Sequence, residues 1–354
     1  MLAPTLLDPR HAAAADAKPT QHAAFSVRAP GRLHLGFLDP SGTLGRRFGS
    51  LGLTIEGFET EVEVGAVRRG SDEDELSADN PAAQAELERS ASFLQRLREH
   101  SGQHAPLALR LRRVLPAHAG LGSGTQLGLA VGRAFVLWHR LGVGTPTLAQ
   151  WLGRGQRSGV GIAGFDQGGL LLDGGPSADG APALLLSRLS LPPAWRIVVA
   201  MDEHCRGLSG AAERQAIASL PPLPQTQAAD ICHQVLMRVL PGAAAAEFAP
   251  FAQGINRVQG LVGAHFAPAQ GGSAWTSTAV GGFMEWLRAY AGDGGAAIGQ
   301  SSWGPTGFAI FPSAETAYRA LAAAHVAGVV DARLSLRTVA ARDSGAVANT
   351  IASH

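Results

Sequence analysis

The stretch that decides the fold reads Pro116-Ala117-His118-Ala119-Gly120-Leu121-Gly122-Ser123-Gly124-Thr125-Gln126. It lies between an alternating strand pattern and an apolar helix pattern. Glycines allow positive φ and a close approach to a ligand, and the helix that follows presents free N–H groups and about half a positive charge. Residues 120–126 therefore predict a phosphate-binding turn, here called the phosphate turn. The structural alternative is a tight turn in which Ser123 or Thr125 caps the helix.

Two common nucleotide motifs do not fit this turn. A Walker A loop requires a lysine directly after its glycines, and the chain's single lysine is Lys18, in the N-terminal segment. The dinucleotide fingerprint requires a third glycine and a position earlier in the chain. Any anion at the turn must therefore be held by arginine, by backbone N–H groups or by a metal.

On both sides of the turn, the spacing of apolar residues predicts a mixture of strands and helices, and the last three predicted elements are strand, helix and strand. This order favours an α+β sandwich with two domains. The predicted strands are 25–38, 51–66, 106–115, 195–201, 308–311 and 332–339, and the predicted helices are 82–99, 123–141, two or more within 225–266, 276–291 and 314–326.

The composition excludes several functional classes. Of the 354 residues, 46% are hydrophobic and 16% are charged, so neither disorder nor a coiled coil is expected. A net charge of +1 gives no support for nucleic-acid binding. No apolar run reaches the length of a membrane span, and residues 1–24 lack the apolar core of a signal peptide, so a cytoplasmic protein is expected. Cys205 and Cys232 are expected to be reduced thiols.

Three glycine-rich blocks resemble, in order, the motifs of the GHMP superfamily. They are residues 29–36 (APGRLHLG), residues 116–124 and residues 299–307 (GQSSWGPTG). The resemblance implies an N-terminal domain like ribosomal protein S5 domain 2 over 25–192 and a ferredoxin-like C-terminal domain over 193–345. Residues 1–24 and 346–354 are then expected to be tails, and the site is expected between the two domains.

The sequence departs from the kinases of this superfamily at two positions. A serine that helps to hold magnesium is replaced by Gly124, and the aspartate that acts as base in Ser-Gly-x-Asp is replaced by Gly161. Glycine cannot accept a proton, and general-base catalysis contributes typically ~10²–10⁴-fold. These two departures weaken the interpretation as a small-molecule kinase, but it stays open. A non-catalytic binding protein also stays open.

The same blocks resemble the family of β-ribofuranosylaminobenzene 5'-phosphate synthases more closely, especially Gly-Gln-Ser-Ser-Trp-Gly-Pro at 299–305. That resemblance implies a glycosyltransferase that condenses 4-aminobenzoate with phosphoribosyl pyrophosphate and releases carbon dioxide and pyrophosphate. It further implies methanopterin biosynthesis as the pathway, Mg²⁺ as the cofactor, small molecules as the only substrates and a homodimer.

These blocks supply the predicted site residues. Arg32, His34 and Asp39 are the catalytic candidates; the structural alternatives are a surface arginine, a satisfied histidine and a turn-capping aspartate. Phosphate binding is assigned to His118, Gly120, Leu121, Gly122, Ser123, Gly124, Thr125 and Gln126. Substrate binding is assigned to Arg157, Asp166, Gln300, Ser301, Ser302 and Trp303. Asp173, in Asp-Gly-Gly, has the pattern of a turn residue.

Overall fold

The computed structural model describes residues 23–177, 181, 183–208 and 210–352, which form two β-sheets and the helices that cover them. The strands are β1 (Ala23–Asp39), β2 (Phe48–Gly65), β3 (Glu75–Ala78), β4 (Ala108–Arg113), β5 (Leu170–Asp173), β6 (Leu185–Leu189), β7 (Arg196–Asp202), β8 (Ala297–Gln300), β9 (Thr306–Phe311), β10 (Leu334–Val339) and β11 (Val347–Ala352).

The helices follow the same chain order. They are α1 (Pro81–Gln84), α2 (Leu87–Ser101), α3 (Ser123–Trp138), α4 (Thr145–Trp151), α5 (Val160–Gln167), α6 (Gly210–Ser219), α7 (Gln225–Gln234), α8 (Leu240–Ala244), α9 (Phe248–Phe266), α10 (Thr278–Ala291) and α11 (Ala314–Val326). A π-helical turn, Val235–Val239, joins α7 to α8. None of the helices in the described ranges is long and apolar enough to span a membrane.

The first sheet is built around a long antiparallel hairpin of β1 and β2. The strand order is β11-β1-β2-β4-β3, and β5 pairs with β2 while β6 pairs with β5. The β1–β2 register shifts between Pro30 and Arg32 and again between His34 and Gly36. Such irregularities bend a strand and redirect its side chains, and here they flank Arg32 and His34 of the first motif.

The second sheet has the strand order β10-β7-β9-β8 and is antiparallel throughout. The chain passes through it as strand, helices, strand, strand, helix, strand, which is the ferredoxin-like arrangement. Helix α9 lies between the sheets, where Ile255 and Val258 join a core that includes Leu33 of β1 and Val199 of β7. The predicted α+β, two-domain fold is confirmed.

The predicted C-terminal tail, 346–354, is wrong over most of its length. Val347–Ala352 form β11, which pairs antiparallel with β1 from Ala23 to Arg28. The end of the chain therefore returns to the N-terminal domain and covers an edge that would otherwise expose unpaired backbone groups. Of the predicted tail 1–24, Ala23 and Ala24 begin β1, and residues 1–22 lie outside the described part of the chain.

A further glycine-rich stretch, residues 158–175, folds into α5 and β5, and Asp173 holds the two elements together. This fully buried carboxylate accepts hydrogen bonds from the backbone N–H groups of Gly159 (2.8 Å), Val160 (3.1 Å) and Gly175 (2.8 Å). Burial raises its pKa, and the three N–H donors oppose that rise. Asp173 is thus a turn and helix-start residue, as its sequence pattern indicates.

Replacing Asp173 with alanine is expected to lower the free energy of unfolding by about 2–4 kcal/mol, because buried N–H groups lose their acceptor. Urea unfolding followed by circular dichroism measures the change. Asp331→Ala is the control, since that carboxylate pairs with Arg333 on the surface and such pairs contribute little. Equal stability of the Asp173 variant and the wild type would contradict the assigned role.

Candidate functional site

The three glycine-rich blocks meet at the carbonyl oxygen of Gly120. This oxygen accepts one hydrogen bond from Nη1 of Arg32 (2.9 Å) and another from Oγ of Ser301 (2.8 Å). The Ser301 hydroxyl in turn accepts from the backbone N–H of His34 at 2.9 Å. One buried hydroxyl therefore joins the first motif, the phosphate turn and the third block.

Backbone contact between the phosphate turn and the third block explains their glycines. Gly120 has φ +87°, and a Cβ there would collide with the carbonyl oxygen of Ser301. A Cβ on Gly304 would likewise collide with the backbone of Ala119. Only glycine allows the two chains to approach this closely.

The turn opens directly into α3 without a side-chain cap. The cap residue is Gly122, with φ +80°, and no side chain hydrogen-bonds to the start of α3. The alternative in which Ser123 or Thr125 caps the helix is therefore wrong, since both lie inside it. The uncapped helix start offers backbone N–H groups and a positive dipole end to an anion.

Buried positive charge borders this helix start. Nε of Arg32, Nε2 of His34 and Nη1 of Arg157 are buried and have no hydrogen-bond partner within the described part of the chain. Arg157 pairs with Glu213 of α6 at 2.8 Å, and the same carboxylate acts on the charge of Arg32. Two guanidinium groups thus share one carboxylate. Because buried polar groups are normally paired, the missing partner indicates an anionic ligand.

Burial and neighbouring charge shift the titration of this cluster. Burial lowers the pKa of Arg32 to about 10, and Glu213 opposes the shift. The pKa of His34 falls to about 3, first because of burial and then because of the positive charges of Arg32 and Arg157. His34 is therefore neutral near pH 7 in the free protein, and its Nε2 is free to interact with a ligand.

An aromatic cluster adjoins the charged residues. Phe37, Phe48, Phe266 and Trp303 are all buried and form one apolar group. The Phe37 ring lies 4.6 Å from the imidazole of His34, and the Phe266 and Trp303 rings lie 4.7 Å apart, measured between centroids.

A small cavity of ≈30 Å³ opens beside this cluster, a volume about large enough for one water molecule. It is lined by His34, Phe37, Phe266, Gln300, Ser302 and Trp303 of the predicted site and its aromatic neighbours. Gly36, the last residue of the first motif, also lines it. The sequence patterns did not single out the remaining lining residues, which are Gln259, Val262, Gly263, Gln270 and Ala274. An aromatic ring needs more room, so a ring can enter only if this lining moves.

Helix α6 and the residue that follows it cover both the charged cluster and the aromatic cluster. Glu213 pairs with Arg157, while Ala216, Ile217 and Leu220 pack against the aromatic group. The sequence pattern does not predict helix α6 at this place. A lone glutamate in a short helix gives no recognisable pattern, and only the tertiary structure shows where it lies.

Two acids assigned to the site have other roles. Asp39 is buried, and its carboxylate accepts from the backbone N–H groups of Ser41, Gly42 and Leu44, so it shapes the turn after β1. This matches the turn-capping alternative. Asp166 accepts from the hydroxyl of Thr145 at 2.5 Å, outside the cluster. The geometry therefore does not support a catalytic Asp39 or a substrate-binding Asp166.

Gln300 organises the third block from within. Its Oε1 accepts from the N–H of Thr276 (2.6 Å), and its Nε2 donates to Gln270 (3.0 Å) and to the carbonyl oxygen of Ser302 (2.9 Å). Ser302 has φ +56°, and His118, in the opposing loop, has φ +58°. Left-handed conformations of this kind in non-glycine residues concentrate at ligand sites.

Gly161 lies directly beside the phosphate turn. A Cβ there would stand 3.2 Å from Cγ2 of Thr125, and the Gly161 carbonyl oxygen accepts from Nε2 of Gln126 at 2.9 Å. A carboxylate at this position would face the turn. The residue present carries none, so the site has no base there.

Replacing His34 with glutamine is expected to reduce the pH dependence of stability. An unfolded histidine titrates near pH 6.5 and the folded His34 near pH 3. Between these values only the unfolded chain binds the proton, so the free energy of unfolding falls as the pH drops. The variant should lose about 1.4 kcal/mol per pH unit of this slope between pH 6 and 4.

Urea unfolding across that pH range measures the slope, and His325→Gln on the exposed face of α11 is the matched control. An unchanged slope in the His34 variant would contradict a buried, neutral imidazole.

Comparisons with known proteins identify the family of this chain. Residues 88–174 match the model of the GHMP kinases N terminal domain, and residues 276–328 match that of the GHMP kinases C terminal. The phosphomevalonate kinase of Streptococcus pneumoniae superposes with a TM-score of 0.64 over 93% of this chain and 100% of that one. At 15% sequence identity this likeness shows the fold alone.

Two curated relatives show a nearer relationship. The beta-ribofuranosylphenol 5'-phosphate synthase of Archaeoglobus fulgidus is 33% identical over 247 residues, covering 66% of this chain and 75% of that protein. The protein of the same name from Methanothermobacter thermautotrophicus is 30% identical over 246 residues, with the same coverage. The chain therefore belongs to the GHMP superfamily, and within it the chain is related to the beta-ribofuranosylphenol 5'-phosphate synthases.

Proposed function

We propose that this protein is a decarboxylating phosphoribosyltransferase. It joins C1 of phosphoribosyl pyrophosphate to the ring of a 4-substituted benzoate and releases carbon dioxide and pyrophosphate. The observation that carries the proposal is the cluster of Arg32, His34 and Arg157, beside an aromatic-lined cavity. Each of these side chains has one buried nitrogen without a hydrogen-bond partner among the described residues. Such a site suits a substrate pair in which one molecule is anionic and the other is flat and apolar.

The reaction needs no base. The bond between C1 of the ribose and the pyrophosphate oxygen breaks, and its electron pair leaves with pyrophosphate. The ring carbon that bears the carboxylate donates a pair to C1 and forms the new carbon–carbon bond. The bond to the carboxylate then breaks, its electrons restore the aromatic ring, and carbon dioxide leaves. No proton is taken up, which agrees with glycine at position 161.

The chain's own groups then have defined tasks. Arg32, Arg157 and the N–H groups at the start of α3 hold the departing pyrophosphate, where preorganised donors act most strongly on the developing charge. Nε2 of His34 contributes one further polar contact. Phe37, Phe266 and Trp303 hold the ring and keep water from the ribosyl cation, while α6 closes over both halves.

Magnesium is expected to enter with the pyrophosphate. Among the described residues there is no group of three or more His, Cys, Asp or Glu that could hold a metal by itself. Mg²⁺ usually binds substrate phosphates and one or two carboxylates, and Glu213 is the carboxylate that faces Arg32 and Arg157. The donor set fits an ion held mainly by the substrate, where it would neutralise leaving-group charge.

The para substituent of the acceptor is a separate part of the proposal. The sequence blocks resemble those of enzymes that use 4-aminobenzoate, whereas the curated relatives are named for a phenol product. An amino or hydroxyl group in that position donates electrons to the attacking carbon, so the chemistry suits both. We take 4-aminobenzoate as the acceptor and methanopterin biosynthesis as the pathway, with 4-hydroxybenzoate as the direct competitor.

The reaction is tested with carboxyl-labelled 4-aminobenzoate, labelled 4-hydroxybenzoate and labelled benzoate, each with phosphoribosyl pyrophosphate and Mg²⁺. Labelled carbon dioxide is expected from a para-substituted acid and not from benzoate. Arg157→Gln should lower the rate about 10- to 100-fold through loss of charge-assisted hydrogen bonds. Arg319→Gln, on the exposed face of α11, is the matched control.

Faster release of carbon dioxide from 4-hydroxybenzoate than from 4-aminobenzoate would change the proposed acceptor and keep the proposed reaction. Absence of release from every acid by folded protein, together with ATP-dependent phosphorylation of an alcohol, would replace the proposal with a kinase.

Replacing Trp303 with leucine should raise the KM for the aromatic acid about 3- to 10-fold and leave that for the sugar phosphate nearly unchanged. The lost ring contact accounts for this size. Steady-state kinetics with each substrate varied in turn measures the difference. Trp286→Leu is the control, because that ring stacks on Tyr290 of α10, away from the cavity. Equal increases in both KM values would indicate a general packing defect.

A further inference from the structure

Three arginines form a second cluster outside the site described above, and one of them contacts the phosphate turn. Arg89 and Arg96 are on α2, and Arg154 is in the loop between α4 and α5. The guanidinium groups of Arg154 and Arg89 lie over the ring of Phe93, 5.1 and 5.9 Å from its centroid. A Cβ on Gly124 would overlap the Arg89 guanidinium, so this group rests against the first turn of α3.

Positive charge in this second cluster is poorly compensated. Nε of Arg154 is buried without a hydrogen-bond partner, and no carboxylate in the described chain forms an ion pair with this arginine. Burial, together with the charges of Arg89 and Arg96, lowers the pKa of Arg154 to about 10. Arg89 has one acidic neighbour, Glu86, at 3.4 Å, and Arg96 donates to the carbonyl oxygen of Leu152 at 3.2 Å. Three cations therefore share one carboxylate.

The two arginine clusters are linked by one short loop. Arg154 and Arg157 are three residues apart, so their Cα atoms are at most ~10 Å from each other. Arg157 belongs to the cluster with Arg32, which lies against Gly122, and Arg154 belongs to the cluster with Arg89, which lies against Gly124. The phosphate turn thus has a guanidinium group on each flank, that of Arg32 at Gly122 and that of Arg89 at Gly124.

We propose that Arg89, Arg96 and Arg154 form a second anion subsite, which binds the 5'-phosphate of the sugar substrate while Arg32 and Arg157 bind its pyrophosphate. This inference rests on the proposed function. The aromatic cavity borders His34, so the reacting C1 and its pyrophosphate must lie on the Arg32 flank. The 5'-phosphate is at the opposite end of the ribose, and the Arg154 flank is where the turn presents further unpaired charge.

Calorimetric titration separates the two subsites without any chemistry. The ligands are ribose 5-phosphate and inorganic pyrophosphate, each added to the full chain and to its variants. Arg154→Gln should weaken ribose 5-phosphate binding about 10- to 100-fold and change pyrophosphate binding less than about twofold. Arg157→Gln should do the reverse, and Arg319→Gln should match the wild type.

Thermal unfolding adds a readout that a purely structural role would not give. Without ligand, Arg154→Gln should unfold at the wild-type temperature or above it, because an unpaired buried cation is removed. Stabilisation by ribose 5-phosphate should then be smaller than in the wild type. Arg154→Lys, which keeps the charge, should recover part of the binding.

Equal weakening of both ligands by Arg154→Gln, weakening of pyrophosphate alone, or failure of ribose 5-phosphate to bind the wild type would each overturn the second subsite. These outcomes are independent of turnover. If the two ligands bind separably but no carbon dioxide is released, the second subsite is retained and the proposed reaction is rejected. If carbon dioxide is released at a rate that does not depend on Arg154, the reaction is retained and the second subsite is rejected.

Discussion

The carbonyl oxygen of Gly120 is the point on which the site depends. Arg32 and Ser301 both donate to it, and Ser301 also accepts from His34, so three segments far apart in the chain are fixed to one another. The contact is possible because Gly120 and Gly304 have no side chains to keep the backbones apart. The two domains therefore meet at the place where the α3 helix start is exposed to a ligand.

Around that contact the protein departs from the rules that favour stability alone. Buried nitrogen atoms of Arg32, His34, Arg154 and Arg157 lack partners, and burial disfavours the charged form of each side chain whose pKa is shifted. Natural chains usually keep such unfavourable arrangements where a ligand completes them. The apolar cores of the two domains and the shared helix α9 supply the rigidity that holds these groups in place.

The same scaffold serves kinases, and the difference lies in single side chains at fixed backbone positions. Asp173 fixes the start of α5 through hydrogen bonds to its backbone, and the backbone of position 161 lies beside Thr125. With glycine in that place, the site keeps anion binding and has no base at that position. A reaction driven by a departing anion and by release of carbon dioxide needs nothing more from position 161.

The sequence by itself determined the fold class and revealed the three glycine-rich blocks, because glycine spacing and apolar periodicity are local properties. The turn-capping alternative for Asp39 was available from sequence, but the choice between it and catalysis required the loop geometry. Only the tertiary structure showed β11 returning to β1, and only it placed Glu213 beside Arg157 and Arg154 beside Phe93. Those contacts depend on packing between residues far apart in the sequence, and such packing produces no periodic pattern along the chain.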